Sequence, residues 1–146
     1  MPGRKSKKKK KKKTKKNKDN LLTNLQDYLK DVDKNWNYIT SPDLNKKGLN
    51  NFFLIDVRKK EDYRKGHIQG AINIFWKDIL KPDNLKRIPQ DKKIIIICYV
   101  GHTASQVSTL LRLLGYDAIT LKFGMGISPV KGIPVAGWTN YGYETV

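Results

Sequence analysis

Cys98 is the one cysteine of this chain, and His102, one of two histidines, follows it four residues later in the stretch Ile94-Ile95-Ile96-Ile97-Cys98-Tyr99-Val100-Gly101-His102-Thr103-Ala104-Ser105. A thiol attacks only as its thiolate, so its surroundings decide whether it reacts. Four consecutive isoleucines behind Lys92 and Lys93 are β-branched, show no polar alternation, and suit a strand covered on both faces. From Thr103 the apolar residues Val107, Leu110, Leu111 and Leu114 take helical spacing, and Gly115 falls where a C′ glycine closes a helix. Cys98 therefore belongs to a tight turn from strand to helix. There the first free N–H groups and the positive end of the helix dipole favour an anion, so a thiol gives up its proton more readily than a free one. Against this stands the commoner fate of a lone cysteine at a strand end, inert burial. Gly101, in a short loop that opens the helix, brings the two readings level.

Composition narrows the field. A length of 146 residues suits one domain with a modest core. A single cysteine excludes an internal disulfide framework and any multi-cysteine zinc or iron–sulfur centre, and His67 and His102 alone form no metal-ligand cluster. Residues 1–18 hold 12 of the 30 basic residues and none of the 13 acidic ones, which leaves 18 basic against 13 acidic, a net of +5, for the remainder. We expect residues 1–19 to be a disordered, self-repelling poly-lysine tail, able to adhere non-specifically to anionic surfaces such as nucleic acid, an acidic membrane face or a cell-wall polymer. No run of 7–15 apolar residues follows it as in a secretory signal, and no stretch of about 20 apolar residues spans a membrane.

The rest of the chain must position the thiol. Leu21, Leu22, Leu25, Tyr28, Leu29 and Val32 predict an amphipathic helix over Asn20 to Asp33 lying against the domain, with 20–37 as helix and connection and 38–146 as the domain. Trp36 to Thr40 reads as a short edge strand. Ser41-Pro42-Asp43 reads as a helix start with Ser41 as N-cap, ended near Gly48. Phe52 to Val57 is a second apolar strand running into a charged helical turn at Arg58 to Asp62. Gly66 to Ile74 reads as a glycine-hinged turn into a third strand, Trp76 to Ile88 as a helical or irregular connection interrupted by Pro82, and Ala118 to Lys122 as a further short strand. The close is turn-rich, with Trp138, Tyr141 and Tyr143 able to pin it. Alternating strands and helices give an α/β class with a mostly parallel central sheet flanked by helices, whose sites lie at the strands' carboxyl ends.

Taken in order, Leu54-Ile55-Asp56-Val57-Arg58 with Glu61 and Tyr63, then Gly66-His67-Ile68-Gln69-Gly70-Ala71-Ile72, then the loop Cys98 to Ser105, resemble a single rhodanese domain of the sulfurtransferase family over Tyr38 to Tyr143. Leu114-Gly115-Tyr116 and Leu121-Lys122-Phe123-Gly124-Met125 extend the likeness. The resemblance implies a rhodanese-like three-layer fold in which Cys98 accepts a sulfane sulfur as a persulfide and passes it to a thiophilic acceptor, with no cofactor and no metal. Thiosulfate or a persulfide is the implied donor, and cyanide, a thiol or a protein cysteine the acceptor. The backbone of Tyr99, Val100, Gly101, His102 and Thr103 would cradle the transferred sulfur. Asp56 and Arg58 would fasten the sheet end beneath the loop as a structural ion pair, and His67 would be a structural hydrogen bonder. A cysteine that must stay reduced or persulfidated suits the cytoplasm, although exported domains of this kind exist.

One departure bears on the substrate. Many relatives carry Arg at the place of Thr103 and some carry basic residues at Tyr99 or Val100, whereas here only His102 can become cationic near neutral pH. That favours a less charged or protein-bound persulfide over a dianionic donor. Cysteine phosphatases and arsenate reductases also place a thiolate before a helix, but need an Arg soon after it to neutralise an oxyanion. The first Arg after Cys98 is Arg112, two helical turns on. The other alternative is a non-catalytic module of the same fold that binds a partner or senses oxidants through Cys98. Nucleic-acid binding as the main function fits poorly, because no aromatic residue is interleaved with the lysines.

Overall fold

The computed structural model describes residues 18–128, 131–132 and 135–146. It divides into two units, Met1–Asp33 and Lys34–Val146. In the first, residues 18–31 form a helix, α1, which starts and ends two residues before the expected span 20–33 and takes residues 18–19 from the expected tail; the rest of that tail lies outside the described residues. Leu21, Leu22, Leu25 and Leu29 of this helix are exposed.

The second unit runs β1 (Tyr38–Ile39), α2 (Ser41–Lys47), β2 (Phe53–Asp56), α3 (Lys60–Lys65), β3 (Ile72–Asn73), α4 (Pro82–Leu85), β4 (Ile94–Ile97), α5 (His102–Leu113) and β5 (Ala118–Leu121), with short 3-10 turns at Leu49–Asn51, Trp76–Asp78 and Trp138–Tyr141. All strand pairs are parallel, in the order β1-β5-β4-β2-β3. The sheet is fully parallel, and Tyr38–Ile39 is an edge strand, as expected, with β3 at the other edge.

The four isoleucines of β4 explain the layering. All are fully buried, and their side chains alternate between two cores. Ile94 and Ile96 pack with Ala104, Val107 and Leu111 of α5 on one face, joined by Ile79 and Ile88. Ile95 and Ile97 pack with Leu44 of α2, Ile68, Met125 and Trp138 on the other. Each buried isoleucine is worth roughly 1.5–3 kcal/mol. A continuous apolar run is what a strand with two covered faces requires.

Three local expectations need correction. Thr40, not Ser41, caps α2: its backbone is extended and its hydroxyl accepts the Asp43 N–H at 3.2 Å, which places Ser41 in the first turn. Pro82 starts α4 instead of breaking a connection, since a first-turn proline forfeits no helical hydrogen bond. Helix α5 starts at His102, one residue before the apolar pattern shows it. At the close, Trp138 is buried, stacks obliquely on Tyr143 and donates its Nε1–H to Glu144 O.

Candidate active site

The chain leaves β2 towards β3 on one side and β4 towards β5 on the other, so the carboxyl ends of the neighbouring strands β2 and β4 mark the point where the connections diverge. Such a point leaves a crevice above the sheet. Asp56 ends β2, and Cys98 follows β4. The Val57 N–H donates to Ile97 O at 2.8 Å and closes the two ends together.

Cys98 is buried, with 2% of its surface exposed, and belongs to the core that α5 covers. Burial alone fits inert packing, but the sulfur has polar partners. The Gly101 N–H points at Sγ from 3.0 Å and the Ala104 N–H from 3.4 Å. The chain can turn back this tightly because Gly101 takes the left-handed conformation, φ +102°, as the residue before α5. Two N–H groups at the start of a helix complement negative charge on sulfur. Of the expected cradle, Gly101 supplies one of these donors, while the second, Ala104, lies one residue beyond it.

The other loop residues divide by exposure. His102 is exposed as the first residue of α5, Val100 and Thr103 are half-buried, and Gly101 is buried. Ser105 donates its hydroxyl to Gly101 O at 2.8 Å and meets the Tyr38 hydroxyl at 3.2 Å, so the edge strand helps to hold the helix start.

Tyr99 is held from two sides. Its carbonyl accepts N–H groups from Gly126 and Ile127, at 3.0 and 3.2 Å, just as the Cys98 carbonyl accepts Met125 N–H at 2.8 Å. Its hydroxyl donates to Asp62 of α3 in a short hydrogen bond, and the Arg58 guanidinium lies 5.8 Å from its ring centre. The hydrogen bond from Tyr99 is the main cause holding the Asp62 carboxyl below its ordinary range, and burial, then Asp62 itself, pushes the Tyr99 phenol up. Residues 123–127 and Asp62 are parts of the site that reading the sequence missed. Gly124 and Gly126 are a local sign of close backbone approach. Nothing local signals Asp62.

Asp56 and Arg58 are both buried and paired at 2.7 Å between Nη2 and Oδ2. Arg58 also donates its backbone N–H and Nε–H to the Asp56 carboxylate, at 3.0 to 3.1 Å, and Nη2–H to Gly66 O at 2.8 Å. Asn73 donates to the carbonyls of both Asp56 and Arg58, at 3.0 Å. Removing one member of a pair this buried strands the other charge, at a cost of about 3–5 kcal/mol. His67 lies at the far end of the same network: its ring stacks on Tyr63 at 3.7 Å, its Nδ1 faces Tyr63 O at 3.0 Å and so carries the proton, and its backbone exchanges hydrogen bonds with Val146. Among the described residues no group of three or more His, Cys, Asp or Glu could hold a metal ion.

The sequence model of the rhodanese-like domain family matches residues 41–125. The thiosulfate sulfurtransferase PspE of Escherichia coli (strain K12) is 32% identical over 81 residues, covering 53% of this chain and 78% of that protein. A tRNA sulfurtransferase of Pyrobaculum aerophilum is 32% identical over 69 residues, 47% of this chain and 14% of the relative, so the chain spans only a small part of that protein. The crystal structure of a rhodanese-like domain protein from Staphylococcus aureus superposes with a TM-score of 0.56 at 29% identity, covering 67% of this chain and 96% of the other. A rhodanese-related protein from Thermoplasma volcanium shares the fold, with a TM-score of 0.62 at 24% identity over 75% of this chain and 96% of the other. A family match that spans more than half of the chain, over a parallel sheet with the one cysteine at its central strand-to-helix turn, places the chain in the rhodanese-like domain family.

Proposed function

We propose that the chain is a sulfurtransferase or persulfide carrier with Cys98 as its nucleophile. The observation that carries this reading is the pair of N–H groups, from Gly101 and Ala104, directed at Sγ in a turn where packing alone needs neither. Cys98 thiolate attacks the outer sulfur of the donor, a Cys–S–S bond forms, the donor's S–S bond breaks, and its electron pair leaves with sulfite or with a thiolate. The persulfide carries negative charge on its outer sulfur, and the Gly101 and Ala104 N–H groups that face Sγ support a backbone cradle for it in this turn. An acceptor thiolate or cyanide then attacks that outer sulfur and returns Cys98 to its thiolate.

The cradle sits on backbone, so it needs no cofactor, and Asp56 and Arg58 serve it by fixing the end of β2 beside the turn. With Tyr99, Val100 and Thr103 uncharged, the loop has no permanent cation to attract a dianion and only His102 that can become one, and we assign it a persulfide donor, carried on a small thiol or a protein, ahead of thiosulfate.

Intact mass after brief incubation with thiosulfate, and separately with a persulfide donor, tests the reading. The expected result is a gain of about one sulfur atom at Cys98, stripped by cyanide and absent in Cys98→Ser at unchanged thermal stability. No gain from either donor, or a gain that survives in Cys98→Ser, overturns it; the first outcome points to the non-catalytic alternative.

A further inference from the structure

The sulfur chemistry makes no use of the 12 basic residues in 1–18 or of helix α1. At 100° per residue, Leu21, Leu22, Leu25, Tyr28 and Leu29 fall within an arc of about 120°. Asp19, Asp27 and Asp31 fall outside it, with Asp27 nearly opposite Leu25. Leu21, Leu22, Leu25 and Leu29 are 55%, 53%, 38% and 71% exposed. A helix this short is marginal in water on its own. Its apolar face therefore calls for a surface that accepts leucine, directly beside a segment that calls for an anion.

Few surfaces offer both. Nucleic acid neutralises lysines but gives leucines nothing to enter. An anionic bilayer supplies headgroup charge, worth about 1 kcal/mol for each Lys or Arg near the surface, and an acyl boundary into which an amphipathic helix sinks. Either signal alone gives weak, reversible binding, and the two together give a stable anchor. The acidic residues of α1 would then face water. The helix is about 21 Å long, too short to cross about 30 Å of hydrocarbon, and among the described residues no helix is long and apolar enough to do so. We propose that residues 1–31 are a two-part anchor for an anionic membrane surface, the lysine run meeting the headgroups and the leucine face of α1 lying in the interface. The proposal does not depend on the sulfur-transfer reading.

Co-sedimentation of the full chain with phosphatidylcholine vesicles, with and without about one third phosphatidylserine, tests it. The expected result is at least about a hundredfold preference for the anionic vesicles at about 0.1 M salt, weakened at about 0.5 M. Leu25→Glu with Leu29→Glu, and separately Leu21→Gln with Leu22→Gln, should each lower the affinity at least about tenfold. Thr23→Gln, on the opposite face of the same helix, should leave it unchanged, which separates loss of the face from loss of the helix. Substituting Lys7→Gln through Lys13→Gln should abolish the preference for phosphatidylserine. Leucine variants that bind vesicles as the unaltered chain does would leave adhesion by charge alone and overturn the proposal. So would tighter retention on a DNA duplex than on anionic vesicles, or leucine variants that lower the melting temperature or change the oligomeric state at unaltered vesicle binding, since the stripe would then serve nucleic acid, the domain or a second copy.

Discussion

Gly124 is the residue beside the thiol turn with the least freedom. Its φ is +52°, and a Cβ there would stand 2.2 Å from the Cys98 carbonyl oxygen and 2.9 Å from its carbon. Both obstacles are backbone, so no side chain can swing aside to make room. Gly124→Ala therefore has to push the Cys98 turn away from the segment that receives its carbonyl, losing the Met125 N–H bond at 2.8 Å. We expect a loss of about 3 kcal/mol or more in urea unfolding, and sulfur uptake reduced in the protein that remains folded. A variant as stable as the unaltered chain would show that the turn tolerates a wider spacing. Thr103 offers the opposite experiment, because it is only half-buried, in the first turn of α5. Thr103→Arg supplies a permanent cation, and one charge partly exposed to solvent is worth about 1 kcal/mol against an anion. The KM for thiosulfate should fall about fivefold with little change for a neutral persulfide donor; an equal effect on both donors would remove loop charge as the cause.

Between elements, one tie to the thiol turn runs from α3 to the turn after β4, through the Tyr99 hydroxyl and the Asp62 carboxylate. Asp62 is lowered from its ordinary 3.8, so its share of the stability is present above that value and lost as pH falls through the lowered one. Tyr99 is raised from its ordinary 10.0, so its share is present below that value and lost as pH rises through the raised one. Tyr99→Phe removes the phenol and the largest cause of the Asp62 shift, leaving the smaller effects of Lys65 and Arg58. The stability difference between the unaltered chain and Tyr99→Phe, measured by urea unfolding, should be flat from about pH 5 to about pH 9 and narrow on either side. A difference that varies within that window would mean another group titrates against Tyr99. Strand β4 and helix α5 were legible in the sequence because an isoleucine run and a 3.6-residue repeat are local patterns, and together they place Cys98 at the turn. The Tyr99–Asp62 tie was not, since its partners are 37 residues apart and each is unremarkable where it stands. The choice of Thr40 over Ser41 as cap was illegible for another reason: both carry hydroxyls, and only the extended backbone at Thr40 decides between them.

At the scale of the whole molecule, the buried members of the two cores among the described residues lie between Ile39 and Trp138, within the unit Lys34–Val146. One helix-covered face holds Cys98 and the other holds Trp138, with the sheet of the second unit between them. The cut that tests this has to respect the edge strand: Asn35 O accepts the Tyr38 N–H at 3.1 Å, and Asn37 O accepts the Thr120 N–H at 2.9 Å, so residues 34–37 help to seat β1 beside β5. Tyr38 in turn touches Ser105 at the start of α5, which links that edge to the thiol turn. Deleting residues 1–33 should leave the melting temperature within about 2 °C of the full chain, because a change of 1 kcal/mol moves a domain of this size by about 4 °C or more. Deleting residues 1–37 should lower it by more than that. Any sulfur uptake at Cys98 should survive the first deletion, whose loss should be confined to retention on anionic vesicles. A fall of about 5 °C or more on removing 1–33 alone would mean that the domain takes part of its stability from the segment before Lys34, and that the leucine face of α1 belongs to the fold rather than to a surface outside it.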